Sequence, residues 1–178
     1  MRARPRGITL IEMLMTVAIA STLVAMGVPA LGSILARSHQ QSAEGALQAS
    51  LMHARELAIT RSEQVVVCPT RDGRSCTSDD LWQGGWMIGA DLDHDREPDS
   101  PLARFDAMPA NLRVVSSQGR PRVVFQPDGS AGGSNAQLTI CHTGDTKEGR
   151  AVIIANSGRV RETDAQPDHL QACLGGGK

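Results

Sequence analysis

Apolar residues crowd the beginning of the chain in one nearly unbroken run and then scatter into short alternating stretches. From Ile8 to Leu35 the only charge is Glu12. A run of this length is enough for a helix to cross a bilayer. Further on, Ala43, Ala46, Leu47, Ser50, Leu51, Ala54, Leu57 and Ala58 recur at spacings of three and four, the helical period. Gln41, Glu44, Gln48, Arg55 and Glu56 fall mostly on the other side. The pattern predicts one long helix, apolar all round over residues 8–35 and amphipathic over 36–61. Gly27, Pro29, Gly32 and Ser33 weaken its middle and allow bending there.

After Ser62 the period shortens and β-branched runs alternate with turn residues. Strands are expected at Gln64–Cys68, Gly85–Ala90, Leu102–Phe105, Leu112–Ser116, Arg122–Phe125, Gln137–Cys141, Arg150–Ala155 and Arg159–Arg161. The remainder, Glu162 to Lys178, reads as polar and irregular. The expected fold class is α+β: a long N-terminal helix packed on a C-terminal antiparallel β region spanning 62–178. With two Trp, two Phe and no Tyr, the core must rest on Val, Ile, Leu and Ala. Trp82, Trp86 and Phe105 belong to that core or its edge.

Charge changes the picture first at the start of the chain. Arg2, Arg4 and Arg6 precede the apolar run and assign that end to the cytoplasmic side. Glu12, inside a membrane-length segment, is a functional candidate by its position alone. A secretory signal would place small residues after its apolar core; here Gly7 and the change in composition come before it. Gly7-Ile8-Thr9-Leu10-Ile11-Glu12 resembles, residue by residue, the class III signal of type IV prepilins, apart from Ile8 where Phe is commoner. The resemblance implies cleavage after Gly7 by a prepilin peptidase and N-methylation of Ile8. It further implies pairing of Glu12 with a methylated amino group and a filament built through the N-terminal helices. Pro29 falls where many pilins carry a helix-kinking proline. The implied division is a leader at 1–7, a transmembrane and filament-core helix at 8–35, and a periplasmic domain at 36–178. The chain would sit in the inner membrane as a single-pass protein and then enter a pilus or pseudopilus.

The formal net charge is −1, and loss of the three leader arginines would leave the mature chain at about −4. Residues 36–110 carry 7 basic and 12 acidic side chains, and residues 111–178 carry 8 and 6. A nucleic-acid footprint over the whole domain is excluded; any anion site is local and belongs to the second half. Four cysteines in an exported domain suggest two disulfides. Three connectivities are open, and the local pair Cys68–Cys76 favours the set completed by Cys141–Cys173.

The chemistry of enzymes finds little footing. The five histidines are scattered, no Gly-x-Ser-x-Gly elbow occurs, and neither a catalytic residue nor a cofactor is expected. Cys141 and His142 would point to opposite faces of a strand, which disfavours zinc shared with His169 and Cys173. Asp91, Asp93 and Asp95 share the spacing that opens a calcium loop. Arg96 stands where such a loop needs Gly, and Leu102 where it needs Glu, so the stretch reads as a solvated turn and no metal is expected.

Downstream, a Cys68-Pro69 loop with Asp72-Gly73 closing at Cys76, a Gly85-Trp86 strand and the acidic loop follow in order. A Pro127-Asp128-Gly129-Ser130 turn, an Ile140-Cys141 strand and the end Ile153-Ile154-Ala155-Asn156-Ser157-Gly158-Arg159-Val160-Arg161 complete the series. This series resembles the GspH/FimT group of minor pilins and pseudopilins. FimT-like members that take up DNA carry Gly-Arg-x-Arg near the C-terminus, which Gly158, Arg159 and Arg161 match. Strand alternation would put the two arginines on one face about 7 Å apart, comparable with successive phosphates along a DNA strand. Gly158 permits the sharp turn, and Lys147 and Arg150 extend the patch if the loop between Cys141 and Arg150 folds towards it. The implied function is a minor pilin of a type IV pilus binding DNA without regard to sequence; the alternative is a GspH-like pseudopilin of type II protein secretion, with other pseudopilins as partners.

Overall fold

The computed structural model describes residues 9–143 and 148–175, and within these only the backbone at 27–30 and 33. Gly7, Ile8 and Lys147 lie outside the described residues, as does the side chain of Pro29. The chain divides into two units, residues 1–38 and 39–178. Helix α1, Leu10–Arg61, supplies the described part of the first and enters the second.

In the first unit α1 opens on a cap. Thr9 Oγ1 accepts the N–H of Glu12 at 3.4 Å, the bond an N-terminal threonine makes to the third helical residue. The hydroxyls of Thr16, Ser21 and Thr22 donate to the carbonyls of Met13, Ala18 and Ile19, so they leave no unpaired donor on an apolar surface. Leu10, Ile11, Leu14, Val17, Ile19 and Leu23 are all exposed. Among the described residues no helix is long and apolar enough to cross a membrane; the apolar run of the sequence, Ile8 to Leu35, extends beyond them at residue 8, at 27–30 and at 33.

In the second unit α1 buries Ala43, Leu47, Leu51, Ala54 and Ala58, the face that the spacing predicts; Ala46 is exposed. Glu44 departs from expectation. It is 3% exposed and faces inward, because it precedes Leu47 by one helical turn and meets a partner from a distant strand.

Two four-stranded antiparallel sheets complete the unit. One has the order β3-β2-β1-β5, from Ser100–Phe105, Trp86–Ala90, Val65–Pro69 and Val123–Phe125. The other has the order β4-β6-β7-β8, from Leu112–Ser116, Ala136–His142, Gly149–Ile154 and Val160–Asp164. Val65, Val67, Ile88 and Phe125 of the first sheet, and Val114, Leu138, Ile140 and Val152 of the second, share one core with the helix residues. Trp82 and Trp86 are buried in it, and Trp86 stacks on Phe105 with ring centroids 5.1 Å apart. Trp86 Nε1 donates to the buried Ser50 Oγ of α1 at 2.9 Å.

Disulfides join Cys68 to Cys76 and Cys141 to Cys173. The second takes both thiols of the zinc alternative and pins a short helix that the sequence does not suggest. Helix α2, Pro167–Gly175, replaces the irregular tail expected there. Proline suits its first position, and Leu170 and Cys173, three residues apart, turn inward against Val115 and Cys141. α2 thereby covers part of the sheet face opposite the main core.

Candidate functional site

The turn between β7 and β8 is built around Gly158. Its φ is +75°, a left-handed conformation that glycine adopts without strain. A Cβ at this position would lie 1.8 Å from the carbonyl oxygen of Gly129. The turn therefore docks directly on the Pro127–Ser130 turn, and Arg55 of α1 fixes the junction by donating from Nε to the Gly129 carbonyl at 2.8 Å. Gly158 is thus required by packing, whatever the arginines beside it do.

Those arginines do not form the simple strand pair that alternation suggests. β8 begins at Val160, so Arg159 stands in the turn, outside the pleat. Arg159 lines a groove of about 700 Å³ with Gly158 and Val160, facing Met52, His53, Glu56 and Ile59 of α1. Val160 pairs with the buried Ile154, and Arg161 pairs with Ile153. Alternation then sends Arg161 to the face opposite the core. Both arginines are exposed, and neither side chain has a hydrogen bond or ion pair among the described residues. They flank the outer edge of the sheet, since β8 is its terminal strand.

Arg150 does not extend this patch. It pairs with Asp164 across β7 and β8, in line with Val152 and Ile154, on the face turned to α1. Its Nε donates to both carboxylate oxygens of Glu44, at 2.9 and 3.1 Å, and its Nη1 donates to Asp164 at 2.5 Å. Hydrogen bonding to Glu44 raises the Arg150 pKa above its ordinary value, against the opposing effect of partial burial. Glu44, fully inside the domain, needs this partner, because a buried carboxylate without one is costly.

At the other end of the chain, Glu12 is exposed in the first turn of α1. That position also suits a carboxylate near the positive end of the helix dipole, a local reason for an acid there that the sequence pattern Thr9-x-x-Glu12 already contains.

The family model for type II transport protein GspH matches residues 45–158, and the prokaryotic N-terminal methylation motif matches residues 2–28. The first match ends one residue before Arg159; the second includes Gly7, Ile8 and Glu12. Among solved structures, the type IV minor pilin FimU of Pseudomonas aeruginosa strain PAO1 is 24% identical, with a TM-score of 0.61 over 73% of this chain and 95% of that one. The minor pseudopilin EpsH from the type 2 secretion system of Vibrio cholerae is 14% identical, with a TM-score of 0.51 over 71% and 97%. At these identities the likeness is one of fold. None of the curated proteins compared with the chain matches it.

Proposed function

This chain belongs to the GspH family and carries the N-terminal methylation motif, and from that membership we propose that it is a minor pilin of a type IV pilus that contacts DNA through Arg159 and Arg161. The matched families are structural pilins and pseudopilins rather than enzymes. In this reading a prepilin peptidase cuts after Gly7 and Ile8 is N-methylated. The apolar half of α1 sits first in the inner membrane, with the β-bearing unit in the periplasm, and then in a filament core against the helices of other pilins. The exposed apolar residues from Leu10 to Leu23 support an assembly role, since surface of that kind calls for a partner. Glu12 pairs there with a methylated amino group, which relieves the cost of a carboxylate in an apolar bundle.

The observation that carries the DNA contact is the state of the two guanidiniums. Arg159 and Arg161 are exposed and unpaired among the described residues, whereas Arg150 on the neighbouring strand is consumed by Glu44 and Asp164. Two free arginines at a sheet edge suit phosphate contacts, which position a duplex without reading its sequence. Glu56 shares the groove with Arg159, so one chain alone binds weakly. The test is a gel shift with the full-length chain in detergent at low salt. The Arg159→Ala, Arg161→Ala double variant is expected to bind about tenfold more weakly, with a salt slope lower by about two. Unchanged affinity in the folded variant would refute the assignment.

A second reading, a pseudopilin of type II secretion, draws on the description of the family model itself. The two separate in the cell. A minor pilin is recovered with sheared surface pili and its deletion reduces piliation; a pseudopilin deletion leaves pili intact and holds secreted proteins in the periplasm.

A further inference from the structure

We propose that the loop from Asp91 to Asp99 is a calcium site, with Asp91, Asp93 and Asp99 as its carboxylate ligands. One oxygen from each of these residues lies within 4.8 Å of the others. Their ends of the loop are drawn together by the backbone: Asp99 N–H donates to the Ala90 carbonyl at 2.8 Å, and Leu92 N–H donates to Asp99 Oδ2 at 2.6 Å.

A cluster of acids on a surface loop would mean little by itself. Asp91, however, is not on the surface. It is 0% exposed. Its Oδ2 accepts from Gln64 Nε2 at 2.8 Å and from Arg96 N–H at 3.1 Å, while its buried Oδ1 has no hydrogen-bond partner among the described residues. No ion pair reaches Asp91, Asp93 or Asp99 among the described residues. The guanidinium of Arg96, in the loop, donates to Ser134 Oγ at 3.2 Å, and Arg122 pairs with Glu97 of the same loop. A wholly buried carboxylate with one bare oxygen and two further carboxylates beside it is an arrangement that a bound cation would stabilise.

The structure also answers the sequence objection to calcium. Arg96 occupies the sixth position of the loop, where a calcium loop needs a left-handed residue, usually Gly. Arg96 adopts φ +71°, and its N–H is the one that bonds Asp91. Leu102 leaves the twelfth position without a ligand, but Asp99, at the ninth, supplies the third carboxylate of the cluster. Donors that are all oxygens, with no thiolate or imidazole in the group, suit a hard cation. Calcium tolerates an incomplete and flexible set better than magnesium, which demands near-octahedral geometry and keeps most of its water.

The test uses the full-length chain in detergent, stripped with EGTA and titrated with calcium chloride by calorimetry and thermal unfolding. One site per chain is expected, with a Kd of roughly 10⁻⁴–10⁻³ M, the range of extracellular modules, and a Tm that rises with calcium. Asp93→Asn with Asp99→Asn, both exposed positions, should lower the affinity at least about tenfold while leaving the chain folded in EGTA. Asp91→Asn removes the buried charge but keeps an acceptor for Gln64 and Arg96. Its Tm in EGTA should equal or exceed that of the parent, and calcium should no longer raise it. The proposal falls if the folded parent shows neither heat nor a Tm shift up to about 10 mM calcium. It falls equally if the double variant binds as well as the parent, or if magnesium chloride gives the same response.

Discussion

Arg150 and Arg161 stand on adjacent strands of one sheet and have opposite fates. Arg150 is in register with Asp164, on the face that looks at α1, and Glu44 holds its guanidinium from below. Arg161 is in register with Ile153, on the other face, and its side chain has no partner among the described residues. The side chain is the same and the sequence separation small. What differs is the face of the sheet, and therefore whether the positive charge is already neutralised. The acids divide in the same way. Asp72 is exposed, but its carboxylate is surrounded by donors from its own loop; Asp91 is buried, and one of its oxygens has no donor among the described residues. A charge satisfied inside the chain is structure. A charge left unsatisfied is what each proposed site is built on: exposed arginines for a polyanion, a buried aspartate for a small cation.

The largest effect expected from this contrast is on stability. Arg150→Ala would leave the Glu44 carboxylate, 5% exposed, without its cation. Removing one partner of a fully buried pair costs about 3–5 kcal/mol. The Arg150 side chain is 34% exposed, which moves the expected cost down to about 2–3 kcal/mol. Urea unfolding of the full-length chain, followed through the buried tryptophans, measures it. DNA affinity of the folded variant should not change. Arg159→Ala with Arg161→Ala should do the reverse: stability within about 0.5 kcal/mol of the parent, with weakened DNA binding. A loss of DNA affinity in Arg150→Ala equal to that of the double variant would erase the distinction between the two strands.

How far such differences can be read in advance depends on where the information sits. The strands were legible because Val65–Val67, Val123–Phe125 and Val152–Ile154 are β-branched or aromatic runs between turn residues. The core face of α1 was legible because Ala43, Leu47, Leu51, Ala54 and Ala58 keep the helical period, and the local disulfide because Cys68 and Cys76 bracket a short loop. Glu44 was misjudged: the pattern treats it as a polar residue beside Ala43, and its partner lies 106 positions away. α2 was missed because only Leu170 and Cys173 of its residues are buried, too few to set a period. The arginine pair was half legible. The sequence marks Gly158 as a turn, but it cannot say that the strand starts after Arg159, nor that Arg96 accepts a left-handed backbone.

The smallest effect should come from Asp72, the acid whose needs are met locally. The N–H groups of Ser75 and Arg74 donate to its Oδ1 at 3.0 and 2.8 Å, and the Ser75 hydroxyl donates to Oδ2 at 3.0 Å. These bonds, led by the one from Ser75 N–H, hold the carboxyl well below the ordinary carboxylate range of about 3.8. The sign follows from linkage. With the folded pKa below the unfolded one, the ionised group contributes stability above about pH 4, and that contribution is lost as pH falls through the folded pKa. Asp72→Asn keeps an acceptor for Ser75 and Arg74 but does not titrate, so the parent should have the higher Tm at pH 7 and the gap should close towards pH 2. Because the Cys68–Cys76 bond closes the same loop, the chain stays restrained when the carboxyl is protonated, which limits the gap at every pH. A gap that widens in acid would mean that Asp72 is stabilised as the acid, and a gap that ignores pH would mean that its charge contributes nothing beyond its shape.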